Sequence, residues 1–288
     1  MEGTIVKGVG GFYYVRTGEA TYECRARGIF RKDGTIPRVG DSVLINVIDD
    51  TEGVIEEILP RKNVFIRPPI ANVDCLILVT AVAKPDTNLG IVDRFLIAGE
   101  KNNGEILICI NKIDLNENEK LERLTEIYGG MYPIVGVSGI TGEGIDRLAE
   151  MIAGKKSALA GPSGVGKSTI LNLLLGRDIA ETGGVSKKTG RGKHTTRHVE
   201  LYELPHGGYV FDTPGFTSLD VAELEEGELS QLYPEMADLL GHCRYDDCRH
   251  LSEPGCAVRD ALEKGRIKPS RYRSYEEQIR EIQGRKTY

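Results

Sequence analysis

The hydrophobic rhythm of this chain changes twice. Up to about residue 66, short runs alternate apolar and polar positions: GTIVKGVGGFYYVRTG, TYECRARGIFR, VGDSVLINVID and EGVIEEIL. Alternation is the period of a strand with one buried face. Glycine and aspartate turns at this spacing predict a small closed β-barrel, with the oligonucleotide-binding (OB) type as the expected form. After Arg67-Pro68-Pro69, which reads as a linker, the runs become continuously apolar: CLILVTA (75–81), EILICIN (105–111), YPIVGVS (132–138) and SALA (157–160). Strands apolar on every position are buried on both faces, and the stretches LGIVDRFLIAGEKN and EKLERLTEIYGG between them read as helices. The pattern predicts a mostly parallel sheet covered on both sides, with its site in the loops at the strand ends. HVELYEL (198–204) and GGYVFDTPG (207–215) read as a hairpin, after which the sheet ends near residue 220. From 221 the chain is helix-like and acidic, then rich in Cys and His, then basic with tyrosines. The expectation is a multidomain α/β protein: a barrel over 1–66, a mostly parallel α/β domain over 67–220 and a helical C-terminal unit over 221–288.

Composition narrows the function classes. At 288 residues and 40% hydrophobic content the chain can bury real cores. A net charge of −6 argues against nucleic-acid binding by the whole surface, so any such contact must be a local patch. No apolar run approaches the 18 or so residues of a membrane span, and MEGTIVKG lacks a signal-peptide core, so a soluble cytoplasmic protein is expected. Of six cysteines, Cys24, Cys75 and Cys109 lie scattered in strand-like runs, whereas Cys243, Cys248 and Cys256 cluster. In a reducing compartment the first group reads as core and the second as metal-binding.

The chemistry is carried by a few motifs. GPSGVGKST, comprising Gly161, Pro162, Ser163, Gly164, Val165, Gly166, Lys167, Ser168 and Thr169, fits G-x-x-x-x-G-K-[ST] between the strand SALA and the helix-like ILNLLL. Glycines there turn successive N–H groups inward over a helix N-terminus and so cradle phosphates. Lys167 is expected to reach the β and γ phosphates, and the Ser168 hydroxyl to sit on Mg²⁺. NKID (Asn111, Lys112, Ile113, Asp114) follows the strand EILICI directly. Asp114 can accept two hydrogen bonds from the N1–H and amino group of guanine, a donor pair adenine lacks. In VSGITGEG, Ser138 and Gly139 are placed to bring backbone N–H groups to the guanine O6. Asp212 of DTPG is expected to support Mg²⁺ through a water, and the Gly215 N–H to reach the γ phosphate. The basic segment GGVSKKTGRGKHTTRHVE reads as a switch loop in which Thr195 or Thr196 completes the Mg²⁺ shell.

Two flanking regions suggest partners. The barrel mixes Tyr13, Tyr14, Tyr22 and Phe30 with Arg16, Arg25, Arg27, Arg31 and Lys32, a mix suited to stacking bases and holding a phosphate backbone. The same aromatics read equally well as barrel core. The C-terminal cluster reads Cys243-x4-Cys248-x-His250-x5-Cys256, a donor set for a closed, structural Zn²⁺ site, with His242 as a rival fourth ligand. Arg244, Arg249, Arg259, Lys264, Arg266, Lys268, Arg271 and Arg273 surround it as a candidate phosphate-binding patch.

The motif order is unusual, because NKID and the serine loop precede the phosphate loop. With the GRGKHTT loop, the leading barrel and the trailing Cys/His cluster, this order resembles the ribosome small-subunit-dependent GTPase A (RsgA) family of circularly permuted GTPases, over nearly the whole chain. The resemblance implies an OB barrel, a permuted P-loop G domain and a zinc domain, binding GTP or GDP and acting on the small ribosomal subunit and its rRNA late in maturation, with hydrolysis stimulated by that subunit. It also implies His250 as the fourth zinc ligand and Thr196 as the Mg²⁺ ligand. Phe216 stands where many GTPases carry a water-orienting glutamine, and the family pattern points to His194 in that role instead. A monomer is expected. One alternative is a nucleotide-dependent RNA-binding scaffold in which hydrolysis is incidental. Another, an ATP-dependent kinase or transporter ATPase, conflicts with NKID.

Overall fold

The computed structural model describes residues 1–18, 20–28, 30, 34–117, 119–178, 199–212, 221 and 224–285. His194, Thr195, Thr196, Gly215, Phe216, Arg31 and Lys32 lie outside them.

Five strands build the barrel: β1 (Glu2–Val9), β2 (Phe12–Thr17), β3 (Ala20–Ala26), β4 (Ser42–Val47) and β5 (Glu52–Ile58). The hydrogen-bonded order β1-β2-β3-β5-β4 closes when β4 pairs back onto β1, with Thr4 opposite Ser42. Only the β3–β5 pair is parallel. This is a five-stranded closed barrel of the OB kind. Its inward positions are the alternate apolar residues of the sequence pattern, including Ile5, Val15, Cys24, Val43, Ile45 and Ile55, all buried.

A short ribbon, β6 (Val64–Phe65) with β7 (Ile70–Ala71), leads to the α/β unit. There β8 (Cys75–Ala81), helix α1 (Leu89–Lys101), β9 (Glu105–Asn111), α2 (Lys120–Tyr128), β10 (Ile134–Gly136), α3 (Ile145–Met151), β11 (Lys156–Ala160) and α4 (Lys167–Leu175) alternate as expected. The hairpin follows as β12 (Glu200–Glu203) and β13 (Tyr209–Asp212). The sheet runs β10-β9-β8-β11-β13-β12, parallel except for β12. Every residue of β8 is buried, as a strand covered on both faces requires. Its alternate residues serve two cores: Leu76 and Leu78 pack with α1 and α2, and Ile77 and Val79 with α3 and α4. Cys24, Cys75 and Cys109 are buried core residues. Burial pushes their thiols up to about 11, 12 and 12 respectively, so they stay protonated.

The barrel and the α/β sheet are not separate sheets. β12 pairs antiparallel with β1, Lys7 opposite Glu200, and eleven strands form one continuous ladder. Their apolar cores also merge, since Ile5, Val15 and Ile55 of the barrel share one cluster with Phe95, Ala158 and Phe211 of the α/β unit.

The C-terminal part has its own apolar cluster, joined by Ile97 of α1. Two short helices, α5 (Glu226–Leu229) and α6 (Pro234–Ala237), precede α7 (Ala257–Glu263) and the long α8 (Pro269–Arg285), which lies against α1. Among the described residues, no helix is long and apolar enough to cross a membrane.

Candidate nucleotide and metal sites

Strands β10 and β9 are neighbours and β11 lies one strand away across β8, and the segments at their ends carry the serine motif, NKID and GPSGVGKST. The phosphate loop turns on positive-φ glycines and enters α4 at Gly166. Gly166 has φ 99, and a Cβ there would fall 2.2 Å from the Asn111 amide nitrogen. A side chain at 166 is therefore excluded twice, by backbone conformation and by the neighbouring loop. The α4 N-terminus behind the loop directs free N–H groups and the positive end of its dipole at the same space. The Lys167 ammonium donates to the Gly161 and Pro162 carbonyl oxygens at 2.7 and 2.6 Å, which holds it over the loop. Burial lowers its pKa below the ordinary lysine value, so an anion beside it would gain from the cation.

Asn111 ties the three loops together. Its amide nitrogen donates to the Val165 carbonyl of the phosphate loop at 2.7 Å. Its side-chain oxygen accepts from Lys112 N at 2.7 Å and from Gly139 N, in the serine loop, at 3.0 Å. Asn111 is buried, so all of this is made in a low-dielectric setting where an unpaired amide would be costly. Lys112 adopts a left-handed conformation, φ 66, and its ammonium donates to the Gly164 carbonyl at 3.0 Å and to the Lys84 carbonyl. Asp114 is exposed at the mouth. The Ser138 hydroxyl donates to its Oδ1 at 2.6 Å and so orients the carboxylate.

The structure changes one detail of the sequence expectation. The Gly139 N–H is taken by Asn111, and the Ser138 N–H donates to the Glu143 carbonyl at 2.9 Å. Both amides are thus engaged within the protein, and the serine loop acts on the Asp114 carboxylate through the Ser138 side chain. That hydroxyl also accepts from Ile140 N and Thr141 N, at 3.3 and 3.1 Å, which locks it. Asp212 is the last residue of β13, which runs parallel to the phosphate-loop strand with Phe211 beside Ala158. Lys167, Ser168 and Asp212 thus belong to adjacent strand ends, on the side of the site away from NKID.

In the C-terminal unit, Cys243, Cys248, His250 and Cys256 present ligand atoms that all lie within 4.8 Å of one another, a group that could hold a metal ion. His250 Nδ1 is 3.5 Å from Cys243 Sγ and 3.4 Å from Cys256 Sγ, and the two sulfurs are 4.0 Å apart. Tetrahedral bond lengths of roughly 2.3 Å to sulfur and 2.0 Å to nitrogen give edges of roughly 3.5 to 3.8 Å, so the donor set fits such an ion. His250 is buried with φ 61, whereas His242 is exposed. Burial lowers the His250 pKa, favouring the neutral imidazole that ligates metals.

Sequence reasoning missed the groups that shape this loop. The Glu253 carboxylate accepts from Arg249 N, Leu251 N and Ser252 N at 2.8, 2.8 and 2.9 Å. The Tyr272 and Tyr275 hydroxyls on α8 donate to the His250 and Arg249 carbonyls at 2.6 and 2.9 Å. The three-residue spacing of the two tyrosines, one helix face, was the available signal. Nothing in the spacing marked Glu253.

A permuted arrangement follows from the order of these pieces. The strands that carry NKID and the serine motif come first in the chain, the phosphate loop comes in the middle, and all converge on one edge of the α/β sheet, which a barrel and a Cys/His unit flank. Fold and site together define a circularly permuted P-loop GTPase. Family models described as RsgA N-terminal domain and RsgA GTPase match residues 2–55 and 58–222. The small ribosomal subunit biogenesis GTPase RsgA of Caldanaerobacter subterraneus subsp. tengcongensis is 46% identical over 283 residues, 98% of this chain and 96% of that protein. Its namesake from Alkaliphilus metalliredigens is 44% identical over 290 residues, 100% of this chain and 99% of that one. The crystal structure of YjeQ from Thermotoga maritima aligns with a TM-score of 0.86 at 39% identity, covering 98% of both chains. YloQ, described as a circularly permuted GTPase, aligns at 0.84 and 36%, covering 99% of this chain and 95% of that one. The chain belongs to the RsgA family of GTPases.

Proposed function

We propose that this protein hydrolyses GTP to GDP and phosphate in the biogenesis of the small ribosomal subunit, the role in the printed names of its relatives. The observation that carries the nucleotide half of the proposal is Asn111, one buried side chain bonded to all three site loops, beside an Asp114 carboxylate aimed by Ser138. In this reading Asn111 to Asp114, Ser138 and Gly139 form the guanine side. Gly161 to Thr169 hold the phosphates, with Lys167 stabilising charge on the γ phosphoryl group. Ser168, Thr196 and, through water, Asp212 hold the Mg²⁺ that accompanies GTP, and the Gly215 N–H meets the γ phosphate. His194 orients the attacking water, and since Phe216 cannot, unaided turnover is slow and the small subunit stimulates it.

The C-terminal ligands hold zinc in a closed structural site, the usual occupant of a Cys₃His set. Arg244, Lys264, Arg266 and Arg273, exposed around that site, contact rRNA together with the barrel late in maturation; Arg271, buried against Asp93 and Glu235, is not part of that patch. The protein acts as a cytoplasmic monomer on a partner far larger than itself, with its barrel, G domain and zinc unit dividing near residues 66 and 220.

GTP turnover with and without purified small subunits, with large subunits as control, tests the reaction and the partner. Strong stimulation by the small subunit alone is expected; tight GTP binding without stimulation would favour the scaffold. Asp114→Ala tests the base. It should lower the preference for GTP over ATP by at least ~100-fold, because a site built around a donor pair loses its discrimination with the acceptor.

A further inference from the structure

We propose that Phe211 is a positioning residue for Asp212, held in place by a rigid knuckle of the barrel at residues 38–41. The proposal rests on the reading of Asp212 as the Mg²⁺-side carboxylate. Phe211 is fully buried one residue before Asp212, in register with Ala158 of the phosphate-loop strand and Leu201 of β12. Its ring tip lies against Gly40 of the barrel. A Cβ on Gly40 would lie 2.8 Å from Phe211 Cζ and 2.1 Å from the Ala71 carbonyl oxygen, so only glycine, here at φ 96, allows the approach.

The knuckle is fixed from every side. Gly40 N donates to the Ile5 carbonyl at 2.8 Å, and Ala71 N to the Val39 carbonyl at 3.0 Å. Buried Asp41 accepts from Arg38 N at 2.7 Å and from the Arg61 guanidinium at 2.7 and 2.8 Å. The Gly40 carbonyl accepts from Asn72 Nδ2 at 3.1 Å and from Lys156 Nζ at 3.3 Å. Lys156 opens β11, the strand that ends at the phosphate loop. The knuckle therefore touches the two strands that carry the phosphate loop and Asp212. The guanine loops follow β9 and β10, on the far side of β8. Displacing the barrel should disturb the Mg²⁺ and γ-phosphate side while sparing the guanine side.

The test separates those sides. Binding of GDP in EDTA reads the guanine and phosphate loops, and the Mg²⁺ concentration giving half-maximal GTP binding reads Asp212. Phe211→Tyr adds an oxygen at Cζ, straight into the knuckle, and Gly40→Ala presses on the ring from the barrel side. Both should raise the Mg²⁺ requirement by roughly tenfold, the usual loss when a residue supporting a ligand is displaced, with GDP affinity in EDTA changed less than about twofold. Phe211→Met, an apolar side chain that adds no oxygen and lacks the rigid tip, should lie between wild type and Phe211→Tyr. Asp212→Asn is the control. If it leaves the Mg²⁺ requirement unchanged, the reading of Asp212 fails and takes the proposal with it. If it raises the requirement but the Phe211 variants do not, or if they weaken GDP and Mg²⁺·GTP alike, Phe211 is ordinary core and the positioning role is wrong.

Discussion

The G domain is joined to its two neighbours by opposite physical means. On the barrel side the joint is a shared sheet and a shared apolar core. β1 pairs with β12, Phe211 packs on Gly40, and exposed ion pairs such as Lys7–Glu200, at 3.2 Å, decorate the seam. On the C-terminal side the joint is a buried charge cluster. Arg271 of α8, 1% exposed, bonds Asp93 of α1, 0% exposed, at 2.5 Å, and Glu235 at 2.7 Å. Its guanidinium also lies 4.5 Å from the Tyr233 ring centroid and 5.6 Å from that of Tyr128. Burial pulls the Asp93 pKa up and the Arg271 charge opposes it, while Asp93 and Glu235 hold Arg271 well above its ordinary value. The barrel seam is a backbone ladder over a packed apolar core, whereas the C-terminal joint rests on one buried ion pair, Arg271 to Asp93 Oδ1, which cannot part without leaving a buried charge alone. The barrel thus rides on strands β12 and β13, and the C-terminal unit is pinned to α1, on the opposite flank of the phosphate-loop strand.

Four substitutions at three places probe that contrast, in decreasing order of effect. Asp93→Ala leaves Arg271 buried without its closest partner and should cost about 3–5 kcal/mol in urea unfolding of the full chain. Adding Arg271→Ala should cost well under the sum of the two single changes, since the pair acts as a unit; simple additivity would show that the charges do not specify the joint. Gly40→Ala should cost about 2 kcal/mol, from a left-handed backbone and a clash with the Ala71 carbonyl, read in the same unfolding experiment. A loss near zero would mean the knuckle yields and the barrel seam is softer than its contacts suggest. Lys7→Ala removes a seam ion pair whose side chains are 37% and 31% exposed. It should cost less than about 1 kcal/mol, and that difference should shrink further in high salt.

Much of this was legible in the chain. Alternation placed the barrel strands, and the continuous apolar runs 75–81 and 105–111 coincide with Cys75–Ala81 and Glu105–Asn111. Both periods are local, set by which faces of a strand meet water, so a single sequence carries them. Motif spacing likewise brought Asn111, Asp114, Ser138, Lys167 and the four Cys and His residues into view, because each donor set sits within a few residues of one loop. The aromatics of the barrel were undecided in sequence. Tyr13, Tyr22 and Phe30 turn out to pack against its core, while the Tyr14 hydroxyl donates to Glu23 at 2.8 Å.

What only the tertiary structure decided are partnerships across long separations. The amide of Asn111 and the carbonyl of Val165, Asp93 and Arg271, Gly40 and Phe211 are pairs whose members each look unremarkable in their own segment. The sequence determined element types, the barrel and sheet architectures and which residues gather in the phosphate-loop and Cys/His motifs, since propensity, burial period and donor spacing act over a few residues. It left open which amides of the serine loop are already engaged, that barrel and G domain share one sheet, and that a buried arginine fixes the C-terminal unit. Those outcomes depend on where a folded backbone brings two distant groups, and on the cost of leaving either one unpaired there.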